Sequence, residues 1–145
     1  MTRHKAATAG ALAVLALGGT IAATTPASAA TPGAYNGECG KGYEVFRETP
    51  VESAPYKAIS TIYLAYSDKD QKWCAVNIRT KPGVRMPMEV TLDTTPTSGK
   101  PAKDAGSFKS YAGPVYKDLP ARPGICMAWS GTTGIYYNSD RGLCP

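Results

Sequence analysis

The chain has 145 residues, of which 43% are hydrophobic, and its 16 basic and 11 acidic side chains give a net charge of +5. This length suits one small domain. The basic residues are scattered and form no run that could follow a phosphate backbone, so nucleic acid is not an expected partner. The only histidine is His4, close to the N-terminus.

Residues 1–29 have the layout of a secretory signal peptide. Arg3 and Lys5 give a positive start, an uncharged stretch rich in Ala and Leu follows, and an Ala-Ser-Ala cleavage site ends at Ala29. Cleavage there predicts a secreted domain of residues 30–145 with a net charge of +3 and no membrane partner. The domain would contain no histidine, which excludes Ser-His-Asp and Cys-His catalysis and histidine metal sites.

The first half of this domain reads as a flexible start followed by strands. Residues 30–38 form the flexible start, and strands are predicted at 43–47, 59–66 and 73–80, where β-branched and aromatic residues recur. The polar residues between the last two runs indicate a hairpin. The alternating residues of these runs share faces: Ile62, Leu64 and Tyr66 on one strand, and Cys74, Val76 and Ile78 on the next. We expect the second set to face the core.

The second half alternates strands with turns. A strand is predicted at 86–92, and residues 93–106 then form a long polar loop without a large apolar residue. Its composition favours a flexible linker over a binding loop. Further strands are predicted at 108–117, 125–131 and 134–138, and no helical periodicity follows the signal. We therefore predict an all-β fold, a small antiparallel sandwich or barrel.

Cys39, Cys74, Cys126 and Cys144 are the four cysteines. In an exported chain they predict two disulfides, for which three pairings exist. We favour Cys39–Cys74 and Cys126–Cys144, because sequence neighbours close modest loops. The absence of a Cys-x-x-Cys pair argues against zinc, and we expect no metal and no cofactor.

The segment SYAGPVY, residues 110–116, places two tyrosines around a Gly-Pro pair. Pro114 lacks an N–H and Gly113 accepts unusual backbone angles, so together they predict a bulge at a sheet edge. A one-residue bulge would bring Tyr111 and Tyr116 to the same face. We expect at least one of the two rings to be buried.

Several segments together resemble a known family. They are CGKGYEV (39–45), TIYLAYS (61–67), WCAVNIRT (73–80), SFKSYAGPVY (107–116), ICMAWSG (125–131) and the final Cys144. The chain resembles the spore-associated protein A family of filamentous actinobacteria. The resemblance implies export and a location on the spore or aerial cell surface, and it brings no catalytic residues.

Our preferred hypothesis is a secreted, non-catalytic surface protein that binds a spore or cell-envelope component, a glycan or another surface protein, without a covalent link. Its candidate ligand surface is Tyr111 and Tyr116 together with Trp129 and Tyr136, since exposed aromatic rings can stack on sugars. One alternative is a small glycan hydrolase with paired carboxylates. Another is a secreted protease inhibitor that presents residues 93–106 or 118–124 as its loop.

Overall fold

The structure is a computed structural model that describes residues 33–120 and 122–144. The predicted signal peptide, residues 1–29, lies outside the described residues, as do residues 30–32 of the predicted flexible start. The described part folds into eight strands: β1 Glu44–Glu52, β2 Ala58–Ser67, β3 Lys72–Arg79, β4 Met86–Thr95, β5 Ala102–Phe108, β6 Tyr111–Lys117, β7 Cys126–Thr133 and β8 Tyr136–Gly142. None of the described residues belongs to a helix long and apolar enough to cross a membrane.

The eight strands form two four-stranded sheets. Sheet A has the order β1-β2-β3-β6 and sheet B has the order β5-β4-β7-β8, and the strand pairs are antiparallel. The predicted all-β class is confirmed, in its sandwich form. The chain leaves sheet A after β3 and returns to it for β6, so that both sheets contain strands from both halves of the sequence.

The main core lies between the sheets and follows the alternation of the strands. Ile62 and Leu64 on β2 and Val90 and Leu92 on β4 have no exposed surface. Trp129 on β7 is also buried in this core, and its indole Nε1 donates a hydrogen bond to Thr49 Oγ1 on β1 at 2.8 Å. This bond satisfies the indole N–H, which would otherwise be buried without a partner.

Two buried polar contacts also join the sheets. The amide nitrogen of Asn77 on β3 donates to the carbonyl oxygens of Glu89 and Thr132 on sheet B, at 3.1 and 3.0 Å. The hydroxyls of Ser60 and Thr133 lie 2.7 Å apart. Hydrogen bonds of this kind fix the registration of one sheet on the other, because a shift of one sheet would leave these buried donors without acceptors.

The prediction that Cys74, Val76 and Ile78 face the core is wrong in direction. All three are buried, but they point away from sheet B into a second, smaller cluster on the outer face of sheet A. The core-facing side of β3 instead carries Ala75 and Asn77. β3 is therefore buried on both faces, a situation in which alternation does not reveal the inner side.

The second cluster is closed by the beginning of the described chain. Residues 33–43 lie on the outer face of sheet A, where Tyr35 packs against Tyr63 with ring centres 5.8 Å apart. The hydroxyl of Tyr63 donates to Gly33 O at 2.8 Å. Thus the part of the predicted flexible start that the structure describes, residues 33–38, is packed against the sheet.

The predicted long polar loop, residues 93–106, is also corrected. Residues 93–95 belong to β4 and residues 102–106 belong to β5, so the connection is only 96–101. Likewise, the predicted strand 108–117 is interrupted at 109–110, where β5 ends and β6 begins. β5 lacks a large apolar residue before Phe108, because it is an edge strand that gains its stability by pairing with β4.

Candidate functional site

The Gly-Pro pair of SYAGPVY forms a bulge in the edge strand of sheet A. Ala75 pairs with Val115 and Asn77 pairs with Ala112, so Val76 on β3 faces two residues of β6. The N–H of Gly113 bonds to Asp104 Oδ2 on β5 at 2.7 Å, instead of to a strand neighbour. The bulge predicted from Gly113 and Pro114 is therefore present.

The bulge places the two tyrosines on one face, as predicted. Tyr111 pairs with Ile78 and Tyr116 pairs with Cys74, and these β3 residues point to the same outer side of sheet A. The expectation that at least one ring is buried is wrong, since Tyr111 is 40% and Tyr116 42% exposed. Their partners are four residues apart on β3, which separates the two tyrosines by about 13 Å.

Tyr116 has a structural role in this position. Its hydroxyl donates to Cys39 O at 3.0 Å, and its ring meets the edge of Tyr43 with centres 5.6 Å apart. It therefore holds the N-terminal segment on sheet A. Tyr111 has no such contact among the hydrogen bonds and ring pairs of the described residues, so the two tyrosines do not form a continuous adhesive patch.

The other two residues of the predicted ligand surface lie elsewhere. Trp129 is only 2% exposed and belongs to the main core, although it is among the residues that line a groove on sheet B. Tyr136, at the start of β8, pairs with buried Thr133 and lines a cavity at one end of the sandwich. The four predicted aromatic residues thus do not assemble into one site.

A groove with many polar side chains lies on the outer face of sheet B. It has a volume of about 540 Å³ and runs over β4, β7 and β8. The strand register arranges the outward side chains of these strands in three rows, of which the first contributes only Tyr137 to the groove. Across the three strands these rows are Glu89, Thr132 and Tyr137; then Thr91, Ser130 and Ser139; then Asp93, Ala128 and Arg141.

The three rows differ in the kind of side chain that they offer to a ligand. The middle row, Thr91, Ser130 and Ser139, offers three hydroxyls, each able to donate and accept a hydrogen bond. In the third row Ala128 leaves a hollow between Asp93 and Arg141, whose Cα atoms are about 10 Å apart across two strand spacings. Tyr137 borders the other side and is 63% exposed.

Neighbouring residues hold the acidic groups of the groove in place. Lys117 Nζ lies 3.3 Å from Asp93 Oδ1 and also donates to the carbonyl oxygens of Ser98 and Lys100. Thr97 donates its hydroxyl to the other oxygen of Asp93 at 3.1 Å. This arrangement fixes the 96–101 connection against β6. The carboxylate is therefore held in a fixed position, beside the hydroxyl row.

Two carboxylates, those of Asp93 and Asp140, belong to residues that line the groove. Asp93 is bound to Lys117, and Asp140, which pairs with Trp129 in the register of β7 and β8, is exposed. Glu89 is on the outer face but is bound to Lys103, with Nζ and Oε2 2.7 Å apart. Such a surface can bind a hydroxylated molecule through its row of hydroxyls.

The groove was not predicted from the sequence, because the predicted ligand surface was chosen from aromatic residues. The signal was the alternation of hydroxylated residues in adjacent strands, Thr91-x-Asp93-x-Thr95 and Ser130-x-Thr132. In a half-buried strand, the residues between core positions form the outer face. Which strands would lie side by side could not be read from the sequence, so the rows could not be assembled.

The structure contains the disulfides Cys39–Cys74 and Cys126–Cys144, the same pairing that the sequence favours. The first lies in the outer cluster of sheet A. The second joins the start of β7 to the residues after β8. Together with the groove, these features define a small, disulfide-linked β-sandwich in which one outer face is covered and the other is open and polar.

A comparison of sequences places this sandwich in a family. The chain is 42% identical over 126 residues to spore-associated protein A of Streptomyces coelicolor, and the match covers 84% of this chain and 76% of the relative. The chain therefore belongs to the spore-associated protein A family, which confirms the resemblance found in the sequence. No family model matches the chain. No solved structure matches it either.

Proposed function

We propose that the protein is a secreted, non-catalytic component of the spore or aerial cell surface, and that it binds an envelope glycan non-covalently through the groove on sheet B. The observation that carries this proposal is the row of three hydroxyls between a fixed carboxylate and an exposed tyrosine ring. Sugars present hydroxyls for such hydrogen bonds and an apolar ring face for stacking.

The family and the covalent structure support the location. A spore-associated relative and two disulfides are consistent with a protein outside the cytoplasm, where disulfides persist. The groove lies on a sheet face that no other segment of the described chain covers, so that a ligand as long as a glycan chain could lie along it.

The proposal is tested by sedimentation of purified protein, residues 30–145, with isolated spore walls of the producing organism. Tyr137→Ala and Arg141→Ala should each weaken binding about tenfold, because one removes the stacking ring and the other the charged donor. Both side chains are exposed, so both variants should keep the thermal stability of the parent protein.

Tyr111→Ala is the matched control, since it removes another exposed tyrosine ring, 40% exposed against 63% for Tyr137, from the opposite sheet. It should bind walls like the parent protein. If Tyr111→Ala weakens wall binding and Tyr137→Ala does not, the groove is not the binding surface. Release of reducing sugar from the walls by the purified protein would contradict the non-catalytic assignment.

A further inference from the structure

One end of the sandwich, which we call the loop end, consists of four connections. They are residues 53–57, 80–85, 109–110 and 134–135, between β1 and β2, β3 and β4, β5 and β6, and β7 and β8. Because consecutive strands run in opposite directions, these alternate connections emerge on the same side. The loop end is thus a single surface, distinct from the groove on sheet B.

Three large apolar side chains project from this surface. Tyr56 is 90%, Val84 87% and Ile135 89% exposed, and each belongs to a different connection. Three highly exposed apolar side chains at the same end of a small domain make this end a candidate interaction surface. Tyr136, which follows Ile135, extends the apolar surface inward.

The charges of the loop end all have one sign. Its connections carry the cations Lys57, Lys81, Arg85 and Lys109, and none of them contains Asp or Glu. The nearest acid along the chain is Glu52, the last residue of β1. By contrast, the connection between β2 and β3 at the other end contains Asp68 and Asp70.

Hydrogen bonds hold the connections in fixed relative positions. Arg79 Nη1 donates to the carbonyl oxygens of Val84 and Lys109, at 2.7 and 2.8 Å. The N–H of Gly134 donates to Pro87 O at 2.8 Å, and Thr80 Oγ1 donates to Ala58 O at 3.0 Å. The apolar side chains therefore belong to connections that hydrogen bonds hold in place. Binding would not have to order mobile loops, which would cost conformational entropy.

An apolar cavity opens among the same connections. It has a volume of about 330 Å³, and its walls include Ile59, Met86 and Tyr136 together with Lys57 and Lys81. The apolar character of the loop end thus continues into the domain, and it is bordered by cations there as well.

We propose that the loop end docks on the surface of an anionic phospholipid bilayer. Tyr56, Val84 and Ile135 would enter the headgroup region, while the lysines and arginine would contact lipid phosphates. A bilayer accepts isolated protruding side chains, whereas a protein partner would need a matching hollow for each. A soluble polyanion would bind the cations but leave the apolar side chains in water.

This inference goes beyond the proposed glycan binding and uses a different surface. It also replaces the expectation, drawn from the sequence, that the secreted domain has no membrane partner. Docking of this kind requires no membrane-spanning segment, because the side chains reach only the interfacial layer.

The test is co-sedimentation of the purified protein with vesicles of roughly one part phosphatidylglycerol to two parts phosphatidylcholine. Ile135→Ser and Val84→Ser should each lower the partition coefficient about tenfold, since each removes one inserted apolar side chain. Lys81→Gln should lower it about fivefold, and vesicles of phosphatidylcholine alone should bind far less protein. The three replaced side chains are exposed, so the variants should fold like the parent protein.

Two matched controls separate this site from the rest of the molecule. Lys69→Gln removes an exposed cation at the opposite end, and Tyr137→Ala removes the ring of the groove; neither should change vesicle binding. Conversely, Ile135→Ser should keep wall binding. The proposal is overturned if the anionic vesicles bind no protein, if Ile135→Ser and Val84→Ser bind them like the parent, or if only soluble polyphosphate binds, which would assign an anionic polymer instead.

Discussion

The outer faces of the two sheets differ. On sheet A, the outward residues of the central strands are apolar, and residues 33–43 cover them. On sheet B, the corresponding residues are mostly hydroxylated or charged, and no segment of the described chain covers them. Val76 and Ile78 represent the first face, and Thr91 and Ser130 the second. The two sheets have equal numbers of strands, so the difference comes from side-chain chemistry and not from architecture.

The covered face adds stability that a domain of this size needs. A small domain buries a modest share of its surface, and a second apolar cluster with a disulfide through it supplements the core between the sheets. Within residues 33–120 and 122–144, no segment covers the outer face of sheet B, where the groove lies. Four predictions on stability can break or sharpen this division, from the largest expected effect to the smallest.

Replacing both Cys39 and Cys74 with Ala should have the largest effect on stability. The bond spans a sequence separation of 35, and losing it should lower the free energy of unfolding by about 3–4 kcal/mol. Urea unfolding followed by fluorescence measures the change. Limited proteolysis should then cut within residues 33–43, because the segment loses its covalent attachment to β3.

Removal of the Cys126–Cys144 pair provides the comparison for the first prediction. It should also destabilise the fold, by about 3 kcal/mol for its sequence separation of 18, but should leave residues 33–43 protected from protease under native conditions. Equal exposure of these residues in both variants would show that the segment is not held independently on sheet A.

The second prediction concerns Val76→Thr, which exchanges a methyl group for a hydroxyl at almost constant volume. Val76 has no exposed surface, so the new hydroxyl would be buried among apolar groups. The free energy of unfolding should fall by about 1–3 kcal/mol, the cost of an unsatisfied buried polar group. Thermal unfolding measures this loss of stability. An unchanged melting temperature would mean that water reaches Val76 beneath residues 33–43.

These two predictions concern the feature that the sequence predicted least well. The strands themselves, and hence the sandwich, follow from alternation and turn residues, as in 59–66 and 125–131. The inner side of β3 could not be derived, because Cys74, Val76 and Ile78 and the opposite residue Ala75 are all apolar. Only the position of residues 33–43, a tertiary contact, decides which side faces sheet B.

The candidate site was predicted less well than the fold, for a related reason. Met127 and Trp129 share a face in the alternation of β7, and that pattern already placed Trp129 in the core. Choosing it as a surface ring gave its aromatic character more weight than its position. The groove, in turn, depends on the order β4-β7-β8, which brings together strands that are distant in the sequence.

The third prediction concerns alkaline pH. Burial between residues 33–43 and the outer face of sheet A raises the pKa of Tyr35, Tyr43 and Tyr63 above the ordinary value of 10.0. Because the folded state then holds these protons more tightly than the unfolded state, the contribution of the three tyrosines to stability should be fully present below about pH 10 and be lost as the pH rises beyond it. The absorbance of tyrosinate should show a late-titrating fraction among the nine tyrosines.

Tyr63→Phe is the control for the alkaline experiment. It removes one of the three groups and the hydrogen bond to Gly33 O, so the loss of stability above pH 10 should become shallower, although the variant is somewhat less stable at neutral pH. If all nine tyrosines titrate together in the folded parent protein, the cover does not shield its rings.

The fourth prediction, Thr91→Val, is the converse of the change at Val76 and should have the smallest effect on stability. Thr91 lies on the open face of sheet B, where its hydroxyl donates to Glu89 Oε1 at 3.2 Å. Water can replace this partner, and valine suits a strand as well as threonine does, so the free energy of unfolding should change by less than about 0.5 kcal/mol.

If the groove binds glycan, the same variant should still weaken wall binding, by about fivefold, because a hydroxyl of the middle row is lost. A methyl–hydroxyl exchange would then change stability on one sheet and binding on the other. A large loss of stability for Thr91→Val, equal to that for Val76→Thr, would instead mean that the outer face of sheet B is as much a structural surface as that of sheet A.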